Sequence, residues 1–370
     1  MEYRIQFWLI SSLSRGELFV LSYSFLFYQV VAHRSFDPVA IRLHKHYKRA
    51  MSPLATPLAR SVLTLSTDLP KHIKVTQWGS PLKTAKHVVF YFGGMPASAE
   101  EPALHSSSTS EHDVYASRKI HLVCIDKPGM GGSSFKYNFS IRRDWPRIVD
   151  SVATQLNIKE QYGVIGVSNG GPYVMASLLY SESRVKAAAM VVGVSNDVWK
   201  SGYFSTPSTI FEGLYNSLPL VVTAPLNAMG IHIGSFYLMR LGGFESVFKD
   251  SLPTEAKPAL KTVFSDGAAN FGLGAALDCQ QGLSLLYARD DKSDYQQVKV
   301  PVSLWYGTKD STVPMASAEW LHSKLPNSTL HKMEAGHELY FTHTNQVLDD
   351  LVASMDEADS KDSSNGCNSK

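Results

Sequence analysis

The chain has 370 residues, 44% of them hydrophobic, enough for one large core plus an insertion or for two ordinary domains. Lys and Arg number 35 against 33 Asp and Glu, so the overall basic footprint of a nucleic-acid-binding protein is excluded. Cys124, Cys279 and Cys367 lie far apart and in no CxxC arrangement, and neither a disulfide framework nor a zinc site is predicted.

Residues 1–50 form an N-terminal hydrophobic segment with a basic flank. Residues 18–32 are nearly continuous apolar sequence, yet a membrane crossing takes about 20 residues and extension toward the N-terminus meets Glu17 and Arg15. A signal anchor, a cleaved signal with Val30 and Ala32 near the cut, and a helix lying on the body all stand as readings. As a span, Arg34, Arg42, Lys45, Lys48 and Arg49 on its C-terminal flank would outweigh Arg4 and Arg15. The expected localisation is therefore cytoplasmic, or membrane-associated with the body of the chain on the cytoplasmic side.

From residue 60, short apolar runs alternate with helix-length amphipathic stretches. This is the α/β pattern of a mostly parallel central sheet flanked by helices on both faces. Strands are predicted over 72–78, 87–92, 120–125, 161–167, 187–194, 300–306 and 329–334. Helices are predicted over 142–156, 171–181, 316–325 and 345–355. Cys124, inside the third run, reads as a buried structural thiol.

Between about residues 196 and 291 the strands stop, and aromatic, Gly and Pro residues scatter among short helical stretches. This predicts a mainly helical insertion, 196–291, in a core made of 60–195 and 292–355. Its aromatics, among them Phe204, Phe211, Tyr215, Phe236, Tyr237, Phe244, Phe248, Phe264 and Phe271, either line a lid over a pocket or form the insertion's own core. Residues 356–370, rich in Ser, Asp, Asn and Lys, are expected to be a disordered polar tail.

The segment Gly166-Val167-Ser168-Asn169-Gly170 follows an apolar run and precedes a helical stretch, the strand-turn-helix setting of a nucleophile elbow. Gly166 and Gly170 flank the serine because the chain approaches itself closely in such a turn and a β-carbon there would clash. A near copy, Gly193-Val194-Ser195-Asn196-Asp197, lacks the second small residue and opens no helix, so Ser195 is set aside and Asp197 is kept as a reserve acid.

A serine hydroxyl needs a base to take its proton. Of the 13 histidines, His337 stands out in Glu334-Ala335-Gly336-His337, just past the last predicted strand, where a short loop brings it to the sheet edge. Asp310 follows the strand before it and suits the orienting acid. The chain order is then Ser168, Asp310, His337.

With these residues the chain resembles the α/β-hydrolase superfamily, as a serine hydrolase with a helical lid, over roughly residues 60–355. Phe92-Gly93-Gly94-Met95-Pro96-Ala97-Ser98 resembles that family's His-Gly-x-Pro loop, with Gly93 where the family often has His and Ala97 where it often has Gly. Asp126-Lys127-Pro128-Gly129-Met130-Gly131-Gly132-Ser133 resembles its Asp-Arg-Pro-Gly-x-Gly-x-Ser loop. The resemblance implies an oxyanion hole from the backbone N–H groups of Met95 and Asn169, and a lid in the interval after the sixth strand.

It also implies an esterase-type reaction through an acyl-enzyme on Ser168, with neither metal nor organic cofactor. The aromatic insertion and the nearly neutral composition favour a small-molecule substrate with a small or medium apolar acyl group over a polyanion. A serine at the elbow argues against the family's epoxide hydrolase and haloalkane dehalogenase branches, which use aspartate. An aminopeptidase resembling proline iminopeptidase, a thioesterase or acyltransferase, and a non-catalytic binding protein on the same scaffold remain as alternatives. The sequons Asn138-Phe139-Ser140 and Asn327-Ser328-Thr329 do not decide the compartment.

Overall fold

A computed structural model describes residues 61–66, 69–96, 98–106, 113–181, 184–195, 200–203, 207–240, 257–283 and 295–366. The apolar run 18–32 with its basic flank, Ala97, Asp197 and Cys367 lie outside these residues.

Strands β1 (Ser61–Ser66), β2 (His72–Gly79), β3 (His87–Phe92), β4 (Ile120–Ile125), β5 (Tyr162–Val167), β6 (Val185–Val191), β7 (Val302–Gly307) and β8 (Ser328–Met333) form one sheet. Its order is β1-β2-β4-β3-β5-β6-β7-β8. β1 and β2 pair antiparallel with each other, and β2 antiparallel with β4. From β4 through to β8 all pairs are parallel. β3, β4 and β5 are buried at every position, as parallel strands covered on both faces must be. β1 was not foreseen in the sequence. It is a short edge strand with Val62 and Leu63 exposed, and Ser and Thr between its apolar residues weaken the hydrophobic signal.

Among the described residues the helices longer than four residues are α1 (Ile141–Gln155), α2 (Gly171–Tyr180), α3 (Pro207–Tyr215), α4 (Leu220–Arg240), α5 (Lys257–Gly267), α6 (Leu273–Leu283), α7 (Met315–Lys324) and α8 (Thr344–Gly366). Alternate residues of β3 enter two separate cores, one per sheet face. Phe90 and Phe92 join Trp145 of α1 and Tyr173 of α2, with the Trp145 ring edge-on to Phe92 at 5.1 Å and to Tyr173 at 4.6 Å. Val89 and Tyr91 face Val347, Leu348, Leu351 and Met355 of α8.

The polar stretch from residue 356, expected as a disordered tail, instead continues α8 as far as Gly366. Its first turns are held by charge rather than by apolar burial. Asp356 pairs with Lys86 at 2.6 Å and with the buried His87 Nε2 at 2.7 Å, both at the start of β3. Asp359 takes the largely buried Lys186 ammonium of β6 at 2.7 Å and 2.8 Å.

Between β6 and β7, α3, α4, α5 and α6 make the interval mainly helical. Phe264 is buried there, whereas Phe211, Phe236 and Phe271 are exposed. Among the described residues, no helix is long and apolar enough to cross a membrane.

Candidate active site

β5 delivers Ser168 at its C-terminal end, where the chain turns at once into α2. Ser168 has φ 50°, the left-handed region that L side chains rarely adopt. The turn is clamped because the Ser168 carbonyl accepts the N–H groups of Val194, at 3.0 Å, and of Gly171. A β-carbon on Gly166 would sit 2.5 Å from Val174 Cγ2, and one on Gly170 would overlap the Phe92 carbonyl oxygen. Both positions therefore require glycine.

The loops after β7 and β8 are laced together, with Thr308 N–H donating to the Met333 carbonyl at 2.8 Å and Lys309 N–H to that of Ala335 at 3.0 Å. This brings Asp310 and His337 side by side. His337 Nδ1 lies 2.8 Å from Asp310 Oδ2, and His337 Nε2 lies 3.1 Å from Ser168 Oγ. The other carboxylate oxygen of Asp310 accepts the N–H groups of Thr312 at 2.7 Å and Val313 at 3.0 Å. A carboxylate at Nδ1 assigns the imidazole proton to that nitrogen and leaves Nε2 as an acceptor facing Ser168 Oγ. Burial pulls the imidazole's pKa down, but the charge and hydrogen bond of Asp310, helped by Glu338 and Glu212, outweigh it and raise the pKa above the ordinary histidine value.

Met95 follows Gly94, whose backbone lies against Ser168: a β-carbon on Gly94 would be 3.2 Å from Ser168 Cβ. Asn169 is buried directly after Ser168, and its side-chain amide donates to Asp278 Oδ2 at 2.8 Å. Ser195 has no solvent exposure, in keeping with its rejection as nucleophile.

Several charged groups at this site went unnoticed in the sequence. Glu101 is buried and its Oε2 accepts the Gly94 N–H at 3.2 Å. Burial lifts its carboxyl to about 7, against the lowering effect of the Gly94 N–H and the Lys127 charge. Lys127, also buried, reaches the carbonyls of Gly94 and Asn169 and the carboxylate of Asp278 on α6. Glu212 on α3 accepts the Tyr203 hydroxyl at 2.8 Å, and burial raises its pKa. Only Lys127 lay in a motif quoted above; nothing local in sequence marks an acid that will be buried by a distant element.

Among the described residues, His87, Asp356 and Asp359 are the one group with donor atoms close enough for a metal ion. They sit at the N-terminal ends of the strands, opposite Ser168, and both carboxylates are already engaged by lysines.

A mostly parallel sheet that places a serine on a strand-to-helix turn, with a histidine and an aspartate on the following strand loops, has the layout of an α/β hydrolase. A family model described as alpha/beta hydrolase fold matches residues 88–344, and the chain belongs to that family. A pimeloyl-[acyl-carrier protein] methyl ester esterase from Aromatoleum aromaticum is 33% identical over 75 residues, 19% of this chain. The match spans 30% of that relative's length. Among solved structures, esterase RhEst1 from Rhodococcus sp. ECU1013 superposes with a TM-score of 0.53 at 15% identity, covering 80% of this chain and 99% of that one. The enol-lactonase from Burkholderia xenovorans LB400 gives 0.53 at 15% identity, covering 77% and 96%. Naproxen esterase from Bacillus subtilis gives 0.52 at 17% identity, covering 79% and 91%. At these identities the likeness is one of fold.

Proposed function

We propose that this protein is a serine hydrolase that cleaves a carboxylic ester through an acyl-enzyme on Ser168, with His337 as general base and Asp310 as its orienting acid. The observation that carries this reading is the unbroken chain from Asp310 Oδ2 through His337 to Ser168 Oγ, at 2.8 Å and 3.1 Å. These are the distances over which a proton passes between positioned groups.

In the first half-reaction His337 Nε2 takes the Ser168 proton as Oγ adds to the ester carbonyl. The oxygen that becomes anionic is received by the backbone N–H groups of Met95 and Asn169, each a donor of the kind worth about 2.7 to 4 kcal/mol in other hydrolases. His337 then gives its proton to the leaving alkoxide, and the same groups, run with water in place of serine, release the acid. The stronger pull of Asp310 as the ring becomes charged supports the base role.

The insertion serves as a lid in this reading. Its α5 and the turn between α5 and α6 rest on the loops that surround the nucleophile: Ser98 donates to Asp266 at 2.6 Å, and Asn270 donates to the Gly129 carbonyl at 2.9 Å. An ester substrate also agrees with the methyl ester esterase named above, and the near-neutral charge of the chain suits an apolar acyl group.

The test is labelling with a fluorophosphonate probe. Wild type and Ser195→Ala should label, and Ser168→Ala should not; label retained in Ser168→Ala and lost in Ser195→Ala would overturn the assignment.

A further inference from the structure

Lys127 is 2% exposed at its side chain, and its ammonium meets three acceptors, one for each hydrogen. They are the Asp278 Oδ2 at 2.9 Å, the Asn169 carbonyl at 3.1 Å and the Gly94 carbonyl at 3.3 Å. Asp278 is equally committed. Its Oδ2 also takes the Asn169 side-chain amide at 2.8 Å, and its Oδ1 takes the Tyr173 hydroxyl at 2.6 Å. The Tyr173 ring lies 4.4 Å beneath the ammonium, adding a cation–π contact. A buried ion pair of this kind gains little stability over apolar residues of the same shape, because both ions must shed water first. Its placement is what calls for an account.

The Gly94 carbonyl and the Met95 N–H belong to one planar peptide unit and point in opposite directions. A donor that fixes the carbonyl therefore fixes where the N–H points. A full positive charge on the carbonyl oxygen also draws electrons through the unit and makes the N–H a stronger donor. Gly94 is held from its other side too, since its own N–H is bound by Glu101. The second donor peptide is secured without a charge, because the carbonyl paired with Asn169 N–H is that of Ser168, bound by Val194 and Gly171.

We propose that Lys127 is a positioning residue of the oxyanion hole, aiming and polarising the Met95 N–H through the Gly94 carbonyl, with Asp278 of the insertion holding the ammonium in place. The proposal rests on the serine hydrolase reading above. It makes α6 a structural part of the catalytic loops rather than a cover alone. The packing agrees: a β-carbon on Gly282 of α6 would come within 2.6 Å of Asn169 Oδ1.

The experiment compares wild type, Lys127→Met, Lys127→Arg and Asp278→Asn on p-nitrophenyl butyrate and with an octyl trifluoromethyl ketone. The ketone accepts Ser168 Oγ at its carbonyl, the proton passes to His337, and the resulting alkoxide occupies the oxyanion hole. Lys127→Met should lower kcat by about 10²-fold, the lower end of the loss from an oxyanion donor, with KM changed far less. Ketone affinity should fall by a similar factor, and Lys127→Arg, which keeps the charge, should restore part of both. Lys127→Met that folds with wild-type kcat and ketone affinity overturns the proposal. If Lys127→Met does not fold, Asp278→Asn decides in its place, by the same loss of kcat at constant KM or by its absence. Fluorophosphonate labelling of wild-type Ser168 separates the two levels: without it the hydrolase reading itself falls, whereas labelling with unaffected variants removes only the role of Lys127.

Discussion

Asp310 divides its two carboxylate oxygens between His337 and its own loop: Oδ2 holds the imidazole Nδ1 at 2.8 Å, while Oδ1 takes the N–H groups of Thr312 and Val313. The backbone bonds fix the carboxylate, and the carboxylate fixes the ring. Asp310→Asn keeps the shape but can present an amide N–H toward Nδ1, which favours the wrong tautomer. We expect kcat to fall by about 10⁴, the loss seen for the equivalent change in a serine protease triad, with the melting temperature nearly unchanged. Steady-state kinetics with a thermal melt checks this. A loss below about tenfold would assign the acid elsewhere, with Asp197 next in line.

The same pair sets the pH profile. In the proposed mechanism the base works only when neutral, so kcat/KM should fall as pH drops through the free-enzyme pKa of His337. That pKa is raised from 6.5, since Asp310 outweighs burial, so the acid limb should lie above the ordinary histidine position. Removing the carboxylate charge in Asp310→Asn should move the limb to lower pH. Glu101, at about 7, titrates in the same window, and Glu101→Gln is the control. The limb should persist in Glu101→Gln and shift much further in Asp310→Asn, because Asp310 is the dominant raising influence on His337.

Glu101 gives a stability prediction of its own. Burial raises its carboxyl from 4.5 to about 7, so the folded state holds a proton that the unfolded chain releases. Its contribution is fully present below about 4.5 and is lost as pH rises through about 7. Glu101→Gln keeps an acceptor for the Gly94 N–H and removes the buried charge. Its stability relative to wild type should therefore improve from about pH 5 to about pH 8, as read by denaturant unfolding at both. An equal difference at the two values would show that Glu101 ionises as freely folded as unfolded.

The parts of this site that were legible in the sequence share one property: each lies where a local pattern and a chain position agree. Ser168 stands between an apolar run and a helix, Asp310 follows the fully buried strand β7, and His337 follows β8, which is read from its place in chain order rather than from burial. Glu101 and Asp278 had no such signature, and Lys127 lay in a quoted loop motif that gave its side chain no role. Lys127 and Asp278 are 151 positions apart, and what makes them matter is a meeting that only the packing of α6 against the elbow creates. The edge strand β1 escaped notice because its alternation is diluted by Ser and Thr. The continuation of α8 escaped for a related reason, since a reading based on apolar content sees no anchor in residues 356–366, whereas the anchors are carboxylates that reach lysines of other strands.

That continuation can be tested through its ion pairs. Lys186 has 8% of its side chain exposed, while its partner Asp359 is 50% exposed. Removing the carboxylate strands an ammonium that is mostly buried, whereas water already reaches the carboxylate side and softens the loss. Asp359→Ala should cost about 1 kcal/mol, well below the figure for a fully buried pair. Lys186→Met combined with Asp359→Ala should recover most of that, because no charge is left stranded and the aliphatic stem still packs. Glu357→Ala, which removes an exposed pair with Lys361, should leave unfolding unchanged. Denaturant midpoints for the three variants check this, and equal behaviour of Asp359→Ala and Glu357→Ala would mean that the end of α8 lies on the surface without being held there.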